Sequence, residues 1–183
     1  MRWLRVYEET IVSAIPAGCR RALDVGCGTG GFARVLAEKC EHVDAIDRDA
    51  DVIARARGGE RVSLICGDVM TYPLEPGYDL ITAIASLHHL PLVPAVERLT
   101  SLLAPGGVLA VIGLYRRATL IDLMYDAVAF PISRTRRLLQ RRKQDRVPMR
   151  DPRETLAEIR AAFPEAEIRR RLLFRYTLIY RAR

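Results

Sequence analysis

Residues 21–37 read RALDVGCGTGGFARVLA. An apolar run enters a loop carrying Gly26, Gly28, Gly30 and Gly31, and Phe32, Val35 and Leu36 then recur at helical spacing. A glycine loop between a strand and a helix lets backbone approach a ligand closely and points free N–H groups at it from the helix N-terminus. The same alternation continues downstream. Strands are predicted over 21–25, 42–47, 61–66, 78–83 and 108–113, with helices over 31–39, 49–57 and 93–103, the last stopped by Pro105-Gly106-Gly107. Strands alternating with helices at this interval dictate parallel βαβ units and a doubly wound α/β sheet.

The tail breaks the pattern. Helices are expected over 119–130 and 133–146, separated by Pro131, and a third over 152–163 with Asp151 as N-cap and Pro152 in its first turn. Residues 166–173 and 174–182 read as two strands with almost nothing between them, which predicts a hairpin and at least one antiparallel member. Charge divides along the same line. Residues 1–110 carry 11 basic and 14 acidic side chains, and residues 111–183 carry 18 and 8. A near-neutral front half therefore precedes a basic back half, suggesting a cofactor end and a substrate or partner end. The 183 residues suffice for one domain with a sizeable core. The cysteines Cys19, Cys27, Cys40 and Cys66 form no C-x-x-C pair and read as buried thiols of a reducing compartment. With no signal-peptide pattern and no apolar run of membrane-spanning length, the chain is read as cytoplasmic.

The glycine loop fits two fingerprints at once. Gly26, Gly28 and Gly31 spell G-x-G-x-x-G, the dinucleotide signature, while Asp24, Gly26, Gly28 and Gly30 spell D-x-G-x-G-x-G, the signature of S-adenosylmethionine (SAM) enzymes. Asp24 separates them: a carboxylate two residues before the loop repels a pyrophosphate and attracts an ammonium or sulfonium. Asp47, ending the second strand, suits ribose hydroxyls under either reading. Asp68, in Cys66-Gly67-Asp68-Val69 at the end of the third strand, can accept from an adenine amino group with Val69 against the ring. No Tyr-x-x-x-Lys occurs for dehydrogenase chemistry. The balance favours SAM.

The segments ALDVGCGTGGFARVL, VDAIDRDADVIARAR, LICGDVMTYP, YDLITAIASLHHLP and LLAPGGVLAVIGL resemble, in order and spacing, the successive motifs of class I SAM-dependent methyltransferases. The similarity is to the small-molecule group that includes quinone-biosynthesis C-methyltransferases and sugar O-methyltransferases, and it covers about residues 20–113. It implies a three-layer, Rossmann-like seven-stranded sheet whose last strand is antiparallel, one domain over 1–183, a cap helix within 1–20 and a substrate-lidding helical insertion over 115–150. It further implies that Asp24, Gly26, Gly28 and Gly30 hold the methionine part of SAM, that Asp47 holds the ribose, that Arg48 and Val69 flank the adenine and Asp68 binds its amino group, and that Cys27 and Gly67 are further cofactor-binding residues. Ala83 would offer its carbonyl to the ammonium, and S-adenosylhomocysteine (SAH) would be the product.

A hydroxyl or acidic-carbon acceptor must also lose a proton. Ser86-Leu87-His88-His89-Leu90 follows the fourth strand at the sheet edge where ligands of such folds bind, which makes His89 and His88 the candidate bases. No N/D-P-P-Y/F motif for exocyclic base nitrogens, no Pro-Cys nucleophile and no metal-ligand spacing occurs. The apolar segment around Leu120–Phe130 and the Arg-rich stretch 134–146 suit an acidic, aromatic or lipid-like small-molecule acceptor, or contact with an anionic membrane surface. No aromatic residues interleave with the arginines, which disfavours nucleic acid. An RNA-directed enzyme using the basic tail, and a SAM-fold protein that does not methylate, are the rival readings.

Overall fold

The computed structural model describes residues 9–116, 118–119, 154–172 and 175–183. Its strands are β1 Arg21–Val25, β2 His42–Asp47, β3 Val62–Cys66, β4 Tyr78–Ile84, β5 Leu103–Leu114, β6 Glu167–Arg171 and β7 Arg175–Arg181. Its helices are α1 Gly31–Ala37, α2 Ala50–Ala54, α3 Leu92–Ser101 and α4 Leu156–Ala162. The strands form one sheet in the order β3-β2-β1-β4-β5-β7-β6. β1 to β5 pair in parallel, whereas β7 runs antiparallel between β5 and β6. The chain reverses direction across the sheet between β1 and β4. Val25 there pairs with Ile46 on one side and Ala83 on the other, and a crevice opens beyond the carboxyl ends of these strands.

The central strands are apolar because both faces are covered. Leu23, Val25, Ile81, Leu109 and Val111 pack on one face with Ala95 and Leu99 of α3 and Ile159 of α4. Ala22, Ala45, Leu80, Ala110 and Ile112 pack on the other with Ala33 and Leu36 of α1 and with Ile11, which lies in the helical residues 9–12. The expected three layers follow. Gly113 is opposed by Tyr176 on β7, whose ring lies where a side chain at 113 would stand.

Several expectations need correction. α2 is shorter than 49–57 at both ends: Asp49 is its N-cap, accepting from the amides of Asp51 and Val52, and Arg55 is its C-cap. β5 begins at Leu103, so Pro105-Gly106-Gly107 does not precede the strand; the register shifts opposite Tyr78 and Leu80 and Gly106 takes a φ of 75°. α4 starts four residues later than expected. Its cap is Thr155, not Asp151: Thr155 and Glu158 form a reciprocal capping box that satisfies two amides together. Cys19 and Cys40 are joined in a disulfide and are not free thiols, leaving Cys27 buried and Cys66 exposed. That bridge ties the start of β1 to the end of α1. The expected helices over 119–130 and 133–146, except for Thr119, and the first eight residues of the expected cap helix fall outside the described residues. Among the described residues no helix is long and apolar enough to cross a membrane.

Candidate functional site

The glycine loop folds as it does because it must turn sharply under β2. The amides of Gly26 and Cys27 both donate to the Ile46 carbonyl, at 2.8 and 3.1 Å. Gly26 has a φ of 70°, and a Cβ built on it would lie 2.5 Å from Cβ of Ser86, so glycine is required on two counts. Gly28, with a φ of 56°, has open space where its side chain would be. That space belongs to a cavity of about 570 Å³, within the ~300–1,000 Å³ of small-molecule sites.

Of the residues singled out in the sequence, the cavity wall brings together Gly26, Gly28, Asp47, Arg48, Gly67, Asp68, Val69 and His89. Val25, Ile46, Val52 and Leu90 add apolar surface, and Ala85 and Ser86 complete the floor. Asp24, Cys27, Gly30, Ala83 and His88 do not reach the wall. Gly30 caps α1 and faces the Arg57 carbonyl. Ala83 is fully buried within the sheet, and the residue at the cavity is Ala85, two positions on. Ala85 and Ser86 were missed, although they sit between two assigned positions. Their signal was the need for a turn between β4 and the two histidines.

Two carboxylates give the loop its electrostatics. Asp47 Oδ2 accepts from the Gly28 amide at 2.9 Å and Oδ1 accepts from the Asp49 amide at 3.0 Å. An amide that a pyrophosphate would need is therefore bonded to the protein's own carboxylate. Asp24 lies behind the loop, 2% exposed, with Oδ1 accepting from Thr82 Oγ1 at 2.8 Å and Oδ2 buried without a partner. Burial pushes its pKa from 3.8 up to about 6, against the pull of the Thr82 hydrogen bond, with a further push from Asp47. Burial, then the charges of Asp24 and Asp47, push the Cys27 thiol up to about 12. The loop thus lies in a negative field that disfavours a second anion and favours a cation. An orphaned buried carboxylate oxygen and an open glycine cradle fit a cationic nucleoside such as SAM.

His88 and His89 form a short 3-10 turn over Leu87–His89, with ring centroids 4.1 Å apart. Burial lowers the pKa of His88 to about 4, and both its ring nitrogens are buried without partners. His89 lines the cavity with Nδ1 buried and unpartnered. Its pKa is lowered by burial and then by Arg48, against the charge of Asp47. Both imidazoles are therefore neutral near pH 7, and His89 is the one at the cavity. Asp68 makes an Asx turn, Oδ1 accepting from the Met70 amide, while Arg98 of α3 holds the carbonyl of Tyr72 at 2.8 Å and so anchors the loop after β3.

Fold and site together define an α/β protein that takes a nucleoside cofactor bearing positive charge. Comparison with known proteins makes the class specific. Residues 22–107 match the family described as "Methyltransferase domain". An uncharacterized methyltransferase of Mycobacterium bovis is 31% identical over 186 residues, covering 96% of this chain and 94% of its own. Trans-aconitate 2-methyltransferase of Streptomyces avermitilis is 32% identical over 111 residues, 54% of this chain and 40% of that protein. The crystal structure of the N-methyltransferase NodS from Bradyrhizobium japonicum, in complex with SAH, superposes with a TM-score of 0.66 at 17% identity, over 97% of this chain and 86% of that one. The chain belongs to the class I SAM-dependent methyltransferases. Its cofactor is SAM.

Proposed function

We propose that the protein methylates an oxygen or acidic carbon of a small-molecule acceptor, and that His89 removes the acceptor's proton. The observation that carries this reading is the position of His89: a neutral imidazole on the wall of the same cavity as the glycine loop, Asp47 and Asp68. When bound, SAM supplies a methyl group activated by its sulfonium. The chain's part is to bind, orient and deprotonate. Asp47 and Asp68 stand at the ends of β2 and β3 to hold the ribose and the adenine, with Val69 and Arg48 beside the ring. Gly26 and Gly28 admit the methionine part, and the buried charge of Asp24 attracts its ammonium through the loop. Ala85, at the cavity, replaces Ala83 as the residue whose carbonyl faces the ammonium. The neutral imidazole of His89 takes the acceptor proton as the methyl transfers, a contribution of about 10²–10⁴ in rate. His88, buried beneath it, packs the turn. The apolar and basic composition of the sequence after Tyr115 favours an acidic or apolar acceptor, as the name of the trans-aconitate relative also does.

The test is a panel of hydroxylated, carbon-acid and carboxylate small molecules, followed by SAH release, with wild type and His89→Gln. The variant is expected to bind SAM as wild type does and to lose transfer to any acceptor that must be deprotonated. Undiminished transfer to such an acceptor would remove His89 from the chemistry. A carboxylate acceptor, already ionised, would react equally well with both proteins and would identify the acceptor atom.

A further inference from the structure

One residue touches both halves of this site. Ser86 is 9% exposed, and its hydroxyl donates to the Val25 carbonyl at 2.6 Å, at the point where β1 enters the glycine loop. Its Cβ lies against Gly26, so closely that only glycine fits there. Its own carbonyl accepts from the His89 amide at 3.0 Å and so closes the turn that presents the imidazole. Immediately before it, Ala85 adopts a φ of 54°, the left-handed conformation that an alanine enters only under constraint, while its amide is held by the Ile112 carbonyl at 2.7 Å. The chain leaving β4 is thus bent sharply, and the bend delivers Ser86 onto the cofactor loop.

We propose that Ser86 is a positioning residue that locks the glycine loop to the turn carrying His89, so that the methyl donor's cradle and the proton acceptor move as one body. Local geometry requires every part of this lock. A side chain added at 26 would drive into Ser86, and a residue at 86 without a hydroxyl would leave the buried Val25 carbonyl without its side-chain donor. A strained backbone persists where surrounding contacts over-determine it, and here the contacts lead from the cofactor loop to the imidazole. The purpose of the lock rests on the reading of His89 as base. Its existence does not, because it is tested with SAH alone, whereas that reading is tested by transfer in His89→Gln.

The experiment compares wild type, Ser86→Ala and Ser86→Thr by calorimetric titration with SAH, thermal melting, and NMR of the imidazole rings in the SAH complex. His89→Gln assigns the His89 signal. For Ser86→Ala the expected result is SAH affinity within about threefold of wild type. The His89 ring signal is expected to be broadened or doubled, with a titration midpoint displaced by about half a pH unit or more. Ser86→Thr, which keeps the hydroxyl, should restore a single signal. A Ser86→Ala complex whose His89 signal and midpoint coincide with wild type would overturn the proposal. So would a parallel collapse of SAH affinity and stability in Ser86→Ala, which would make Ser86 a general structural residue and not a specific tie to His89.

Discussion

Replacing Asp24 by Asn should stabilise the free protein above pH 6 and weaken its hold on SAM. The carboxyl is buried, one oxygen bonded to Thr82 Oγ1 and the other without a partner, and its pKa stands at about 6 against an ordinary 3.8. The folded protein therefore binds this proton more tightly than the unfolded chain does. The contribution to stability is fully present below pH 3.8 and is lost as pH rises through 6. Above that, the buried charge costs about 3 kcal/mol, at ~1.4 kcal/mol per pH unit between the two values. Asn removes the charge and keeps an acceptor for Thr82. Its amide group then occupies the site of the orphaned oxygen unpaired, at a cost of about 1–2 kcal/mol. The net gain of about 1–2 kcal/mol corresponds to roughly 2–8 °C in melting temperature for a chain of this length. Thermal melts at pH 5, 6.5 and 8 read it directly: the advantage should be greatest at pH 8 and shrink towards pH 5, where wild-type Asp24 is protonated. Calorimetry should show SAM binding about 10-fold weaker in the variant, the size of a through-space interaction of roughly 1.4 kcal/mol between a buried carboxylate and a cation. Equal stability of the two proteins at pH 8, or a difference undiminished at pH 5, would refute the assignment of a buried, uncompensated charge to this position.

The glycine loop should respond unequally to added methyl groups. Gly26→Ala meets Ser86 at 2.5 Å as well as left-handed strain and should lose about 2–4 kcal/mol of stability, whereas Gly28→Ala meets no atom within 4 Å and should lose only about 1 kcal/mol while obstructing SAM. Denaturation and calorimetry on the pair separate the effects. Ala85→Gly releases the strain at a φ of 54° and should raise stability by about 1 kcal/mol or leave it unchanged; a loss above that would mean the alanine methyl makes a packing contact of its own. Reduction of Cys19–Cys40, which closes a loop around β1, the glycine loop and α1, should cost about 3 kcal/mol. Thiol titration of the unfolded chain should find two reactive cysteines before reduction and four after it, and four before reduction would show that the bridge does not form in solution.

The parts of the fold legible in the sequence are those in which one local pattern had one physical solution. The apolar runs at 21–25 and 42–47 end where the glycine loop and Asp49 force a turn, so these strands were placed to the residue. Strand five begins earlier than its sequence suggests, because Pro105-Gly106-Gly107 is a breaker pattern that the sheet absorbs as an irregularity beside Tyr78. Asp151-Pro152 offers one cap for α4, but Thr155-x-x-Glu158 spells a capping box, the stronger signal because it satisfies two amides instead of one. The Cys19–Cys40 pairing could not be read, since spacing alone does not say which ends of β1 and α1 meet.

The candidate site divides along a similar line. Asp47, Asp68 and His89 were legible because each ends a strand or follows one, and the carboxyl edge of a parallel sheet gathers such positions into one crevice. Ala85 lines the cavity and Ala83 does not: a two-residue step along the chain keeps the same face, and the left-handed bend after Ile84 decides which of them leaves the sheet. Asp24 shows a further limit. Its sign was readable, but whether it touches the ligand or acts through the loop depends on which face of β1 it occupies. Leu23 and Val25 point to the α3 side, so Asp24 points beneath the glycine loop, with Thr82 as its partner. From there a carboxylate cannot grip a ligand, but it can set the field into which the ligand binds, and a charge held out of solvent does this more strongly than one in the cavity wall. The burial that raises its pKa is therefore the same feature by which, in the proposed function, the loop favours a cation.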